Sequence, residues 1–233
     1  MLVQLWEAWK EDPKNECYNE NPGIFDKTQK YVVFEYEHGG EQLESFKPFK
    51  ANWTVQLVFN VLQQINLILA VGEEFLEFEH RDLHAGNILI REIEPEKDFK
   101  IKVGGKVVEV PNKGLLVTII DFTMSRLQSE DCVIFTDLST ENDLFAGTGD
   151  APFDVIRKIR EDNGNEWKSF DPKSNVRWVK YITDILYERS RQRKKVKRLS
   201  DGFQDKGRWV RGLLEYKSCY EIVTENSFLM HVK

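Results

Sequence analysis

His80-Arg81-Asp82-Leu83-His84-Ala85-Gly86-Asn87, running on into Ile88-Leu89-Ile90, is the stretch that decides the fold. The apolar branched residues at its end read as a short buried strand. Ahead of it, from Thr54 to Glu79, the apolar residues Val55, Val58, Leu62, Ile65 and Leu69 recur at helical spacing. Asn52 or Thr54 offers the N-cap. A long buried helix therefore delivers the chain to the loop, and the loop delivers it to a strand. Within that loop Asp82 supplies a carboxylate and Asn87 a carboxamide. One is suited to accept a proton, the other to hold a hard cation through its oxygen.

A second piece completes the pattern. Leu115-Leu116-Val117-Thr118-Ile119-Ile120 reads as another buried strand, ending at Asp121-Phe122-Thr123, 34 residues after Asn87. H-R-D-x-x-x-x-N followed by D-F-x is the arrangement that protein kinases use for phosphoryl transfer. That reaction needs alignment and charge neutralisation more than covalent help. Asp82 is the candidate base, and Asn87 and Asp121 are candidate ligands for Mg2+, with ATP as the phosphoryl donor. His84 stands where many kinases place a Lys near the γ-phosphate, and is a candidate contact to substrate. His80 reads as a packed structural histidine rather than a base. Arg81 is expected to pair with a loop anion or a backbone carbonyl.

Composition narrows the class. With 41% hydrophobic and 31% charged residues over 233 positions, the chain suits a globular protein with one full core. A net charge of −6 does not suggest direct nucleic-acid binding by the whole surface. Cys17, Cys132 and Cys219 form no CxxC pair, so reduced thiols in the nucleus or cytoplasm are expected. No signal peptide is read at the start, and no apolar run is long enough to span a membrane. Nothing in the sequence fixes an oligomeric state.

The remaining segments fall around this centre. Leu2, Leu5, Trp6 and Trp9 fit a helical face or a strand end, and Asp12-Pro13 and Asn19-Glu20-Asn21-Pro22-Gly23 are loop chemistry. Lys30-Tyr31-Val32-Val33-Phe34-Glu35-Tyr36 is rich in β-branched and aromatic residues and predicts a buried strand leading to Glu37-His38-Gly39-Gly40. Residues 99–103 and 106–110 predict a hairpin across Gly104-Gly105. Cys132-Val133-Ile134-Phe135 is strand-like, a helix opens at Phe153, and another runs from about Asn175 to Glu188 with Val179, Ile182 and Ile185 inward. Arg189 to Arg198 holds seven Lys or Arg in ten residues and reads as a solvated helix end. Leu213-Leu214 and Phe228-Leu229 predict closing helices.

With its flanks, the sequence resembles the haspin family of protein serine/threonine kinases. The resemblance rests on Phe78-Glu79 with the loop itself, Ile119-Ile120-Asp121-Phe122-Thr123-Met124-Ser125-Arg126-Leu127, Asp143-Leu144-Phe145, Gly149-Asp150-Ala151-Pro152-Phe153-Asp154, Ser174-Asn175-Val176-Arg177-Trp178, and Phe34 to Gly40. It implies an α+β, protein-kinase-like fold. A mainly α-helical C-terminal lobe would occupy residues 41–233, with short catalytic strands and a β-hairpin insertion. A remnant N-lobe and hinge strand would occupy residues 1–40. It implies that Tyr36 is the gatekeeper and that Glu37, His38 and Gly39 meet adenine. The ribose position carries Gln42 where the family has an Asp. Asp143 and Asp150 would contact a basic histone tail bearing the acceptor threonine, with Thr148 standing where a second acid is expected. Thr123 after Asp-Phe is itself a family habit.

No G-x-G-x-x-G and no Val-Ala-Ile-Lys strand precede Tyr31, so most of an N-lobe is expected to be missing. This leaves an alternative, a pseudokinase or basic-peptide-binding module without catalysis, and a weaker one among small-molecule phosphotransferases.

Overall fold

A computed structural model describes residues 2–15, 17, 19–26, 28–46, 55–95, 97–191, 212–225 and 231–232. The candidate caps Asn52 and Thr54, the basic run beyond Arg191, and Phe228-Leu229 lie outside the described residues. The chain forms two compact units, Met1–His38 and Gly39–Lys233.

In the first unit, Leu2 to Trp9 belong to helix α1 (Leu2–Glu11). Pro22–Ile24 make one 3-10 turn whose first N–H groups are capped by Asn21, its Oδ1 accepting from Gly23 N at 2.8 Å. The strand expected over Lys30 to Tyr36 does not form: these residues have no secondary structure and are exposed, Val33 by 86% and Tyr36 by 81%. β-Branched and aromatic residues favour a pleated surface only where a neighbouring strand completes the ladder. No described segment pairs with this one. Its aromatics pack locally instead, Phe34 stacking on Tyr36 with centroids 6.2 Å apart.

The second unit is built on helix α2 (Val55–Leu76), whose predicted stripe Val58, Leu62, Ile65 and Leu69 is buried. Beside it lies an antiparallel sheet in the order β1 (Glu41–Gln42), β2 (Ile88–Glu92), β5 (Leu115–Ile119), with Ile88 opposite Ile119. β5 is an edge strand, and α2 satisfies that edge. The buried Gln64 donates to Leu115 O at 2.9 Å and accepts from Val117 N at 3.0 Å. Gly40 begins the sheet in tight contact: a Cβ there would sit 2.2 Å from Ile90 O, and φ is +112°.

Strands β3 (Phe99–Val103) and β4 (Lys106–Val110) form the predicted hairpin, with Gly104 and Gly105 both at positive φ as a two-residue turn requires. Strand β8 (His231–Val232) adds to β4. After β5 the expected strand β7 (Cys132–Phe135) forms and pairs with β6 (Arg126–Ser129), which was not foreseen. Then come α3 (Asn142–Ala146), α4 (Ala151–Asp162) and α5 (Lys173–Arg191). A 3-10 turn at Leu213–Glu215 and α6 (Cys219–Glu225) close the unit. Val176, Val179, Ile182 and Leu186 of α5 complete the core with Trp167 and Trp178. No helix among the described residues is long and apolar enough to cross a membrane.

One polar knot ties three helices. The buried Glu73 of α2 accepts from Asn175 Nδ2 of α5 at 2.9 Å and from the backbone N–H groups of Cys219 and Tyr220 in α6 at 3.2 and 2.7 Å. Burial outweighs these donors and pushes the Glu73 carboxyl up to about 7. It also pushes the Cys219 thiol up.

Candidate active site

The loop is clamped before it reaches Asp82. Glu79 and Arg126 exchange backbone hydrogen bonds of 2.9 Å. Asn175 of α5 accepts from His80 N at 3.0 Å, and Ser125 Oγ donates to His80 O at 3.1 Å. The His80 ring is buried and has Asp82 N–H at 3.3 Å from Nδ1. That contact leaves the proton on Nε2, which donates to Ile120 O at 3.0 Å. Burial lowers the His80 pKa to about 4, so the ring is neutral at pH 7. His80 thus fastens the Asp82 loop to the strand end that carries Asp121.

His80 and Glu73 act on stability in opposite senses over one pH range. Folded His80 titrates near 4 against 6.5 for a free ring, so folding gains as pH rises through that interval. Folded Glu73 keeps its proton to about 7 against 4.5 for a free side chain, so its contribution is full below 4.5 and is lost as pH rises to 7. Each gap is worth about 3 kcal/mol. The wild-type profile is therefore flattened, and Glu73→Gln unmasks the His80 limb. Urea midpoints at pH 4.5 and 7 should show the wild type losing about 3 kcal/mol relative to Glu73→Gln across the interval. A difference between the two proteins that does not change with pH would refute it.

Arg81 pairs with a loop anion as expected, and that anion is Glu79. Its guanidinium is buried with Glu79, Nη2 at 3.1 Å and Nε at 3.3 Å from the carboxylate oxygens, and lies 5.3 Å from the Trp167 ring centroid. The backbone there is left-handed, φ 67°, as it is at Asp121, φ 64°. Such residues are uncommon outside glycine and are held only where the surroundings fix them. At Arg81 the side-chain pairing does so. At Asp121 the preceding Ile120 N–H bonds to Asn87 O at 3.0 Å, and Thr123 donates to Asp121 Oδ1 from its hydroxyl at 2.7 Å and its N–H at 3.3 Å. Thr123 is thus the orienter of Asp121, a role the sequence did not reveal. These Thr123 bonds hold the Asp121 carboxyl below its ordinary value.

Asp82 sits half-buried between these parts. Burial raises its pKa, the charge of Asp121 adds to the rise, and His84 and Asn87 oppose it. Asn87 Nδ2 donates to Asp82 O at 2.9 Å and reaches Asp82 Oδ2 at 3.5 Å. His84 accepts from Gly86 N at 3.0 Å through Nδ1, which turns its Nε2 toward Asp82 Oδ2 at 3.9 Å. Asp82, Asn87, His84 and Asp121 therefore form one group.

The donor set suits a hard cation. The Asn87 amide nitrogen is committed to Asp82 and one Asp121 oxygen to Thr123, which leaves a carbonyl oxygen and a carboxylate oxygen available. Mg2+ typically takes only one or two protein ligands and completes its shell with phosphate and water. Among the described residues no group of three or more His, Cys, Asp or Glu gathers as a closed metal cage.

A cleft of about 370 Å3 opens beside Asp82 and His84. Asp150, exposed at the start of α4, lines it, and so does Glu44, which the sequence did not single out. Its other wall is apolar, including Met124, Phe153 and Trp178. Asp143 is exposed on α3 and stays outside the cleft lining. Of the expected nucleotide contacts, Gly39 and Gln42 belong to this unit. Gly39 is packed on Leu89 so closely that a Cβ would lie 2.7 Å from it, and Gln42 pairs with Leu89 in the sheet. Tyr36, Glu37 and His38 belong to the first unit and are exposed there.

Comparison with known sequences matches this arrangement to a family. The sequence model described as "Haspin like kinase domain" matches residues 3–205. The chain is 33% identical over 232 residues to the serine/threonine-protein kinase haspin of Mus musculus, covering 97% of this chain and 30% of that protein. It is 40% identical over 181 residues to the haspin homolog of Drosophila melanogaster, covering 78% of this chain and 31% of that one. The homolog of Arabidopsis thaliana is 34% identical over 229 residues, 98% of this chain and 36% of its own length. The chain thus spans about a third of the length of these relatives. A match across most of the chain places this chain in the haspin-like kinase family.

Proposed function

We propose that the protein carrying this chain transfers the γ-phosphate of ATP to a protein serine or threonine hydroxyl, and that its acceptor is a threonine in a basic histone tail. The observation that carries this reading is the juxtaposition of Asp82 with Asn87 and Asp121 at the edge of an open cleft. Asp82 accepts the acceptor hydroxyl's proton or orients it, and burial raises the basicity that this role uses. Asn87 and Asp121 hold Mg2+, and Thr123 keeps Asp121 turned for it. Bound Mg2+–ATP would supply the phosphoryl group and, through the metal, positive charge to offset the negative charge that spreads over the phosphoryl oxygens. Tyr36, Glu37, His38 and Gly39 are the proposed adenine contacts, with Gln42 on the ribose side. Asp150 and Glu44 give the cleft a negative rim that favours a basic polypeptide. A chromatin substrate implies that the protein works in the nucleus.

The test is transfer from radiolabelled ATP with Mg2+ to a histone-tail peptide by the whole protein, compared with the same peptide carrying Val at the acceptor. Incorporation only with the hydroxyl present is expected. Tight peptide binding without incorporation would instead assign a basic-peptide-binding module.

A further inference from the structure

The cleft beside Asp82 does not end at its own walls. Tyr181 and Ile185 of α5 line it, and the same two residues line a second, shallower groove of about 490 Å3 between α4 and α5. Val155, Ile185 and Leu214 give this groove an apolar surface, and the Leu214 side chain is 42% exposed.

Five of the six charged side chains that line it are held in ion pairs. Lys158 pairs with Glu161 at 2.8 Å and Asp162 at 3.3 Å, Arg177 pairs with Asp162, Lys180 with Asp184, and Asp154 with Arg157. A rim neutralised in this way selects little by charge, whereas the apolar surface selects by burial. The groove therefore differs in chemistry from the Asp82 cleft, with its Asp150 and Glu44 carboxylates, although the two adjoin.

We propose that this groove is a docking site for the polypeptide substrate, holding a bulky apolar side chain remote from the acceptor hydroxyl. The proposal rests on the kinase reading above, because the occupant is identified by continuity. A polypeptide whose hydroxyl meets Asp82 has to leave the cleft, and the Tyr181–Ile185 ridge leads into the groove. Its volume lies in the range of small-ligand clefts. Its apolar lining favours a bulky apolar side chain of that polypeptide as the occupant.

The test uses the whole protein and a positional-scanning peptide library with a fixed Thr acceptor and Leu or Asp placed in turn at each other position. Affinity is read by fluorescence anisotropy, and transfer is measured separately with labelled ATP. Leu at one remote position should strengthen wild-type binding about tenfold. Leu214→Glu should remove that gain, Leu214→Met should restore it, and peptides too short to reach the position should bind all three proteins equally. A library with no remote apolar preference, or a preference that persists in Leu214→Glu, overturns the groove. A change of oligomeric state in Leu214→Glu with the peptide preference intact assigns the face to a second copy and also overturns it. Absence of transfer to every peptide would refute the kinase reading alone, since anisotropy still reads the groove.

Discussion

Asp82→Asn is expected to lower kcat for protein phosphorylation by about 10²–10⁴-fold, with the protein still folded and its KM for ATP little changed. The substitution preserves shape and removes only the proton-accepting carboxylate. Asn87 keeps its place because its main bond, 2.9 Å, goes to the Asp82 backbone carbonyl, which the variant retains. Asp121 keeps its place because Thr123 holds it. The nearby carboxylate of Asp121 raises the Asp82 pKa, so removing one of two neighbouring negative charges relieves repulsion and does not unfold the loop. Thermal unfolding and steady-state kinetics on the same preparation separate the outcomes. Near-wild-type kcat would remove Asp82 from the chemistry. A matching collapse of stability would make it a structural residue.

The parts of this molecule that were legible in the sequence are those whose cause is local. The α2 stripe repeats every three or four residues, and a buried helix is its physical consequence. Gly104-Gly105 supplies the two positive-φ residues that a tight hairpin needs, so the β3–β4 turn followed directly. What failed depended on partners. Tyr31 to Tyr36 has the composition of a strand, but composition names residues that pack well on a sheet and not the strand that must lie beside them. β7 was legible as a strand, but its partner β6 escaped notice because Gln128 and Ser129 weaken the pattern there.

At the site the same division holds. That Asp82, Asn87 and Asp121 come together was legible because their residue types stand at a fixed, recognisable spacing. The loop anion that Arg81 was expected to meet is Glu79, two positions away, which the sequence did not single out. Pairing at that separation needs the chain to turn back, and it does so through the left-handed backbone at Arg81. Asp143 and Asp150 look equivalent in sequence, yet the short helix α3 and the bend at Gly147 and Gly149 leave only Asp150 lining the cleft. Glu44 and Trp178 reach the cleft from distant elements, and no local pattern announces that.

That buried pair carries the largest stability effect expected here: Glu79→Ala should cost about 3–5 kcal/mol. Both side chains are 1% exposed, so neither charge has water to fall back on. The Glu79 carboxylate serves more than Arg81. It also accepts from Asp171 N at 2.9 Å and from Ser174 Oγ at 2.8 Å, joining the catalytic loop to the start of α5. Truncation removes the carboxylate hydrogen-bonded to the buried guanidinium over the Trp167 ring and strands two further donors. It also frees the left-handed Arg81 backbone that sets Asp82, so transfer should fall along with stability. Replacing both charges removes the cause of the penalty, since an apolar pair of similar volume is often neutral. The double variant Glu79→Leu/Arg81→Met should therefore be more stable in urea than Glu79→Ala alone, and a double-mutant cycle should show strong coupling between the two positions. If Glu79→Ala costs less than about 1 kcal/mol, the pair is solvated in solution and does not anchor the loop.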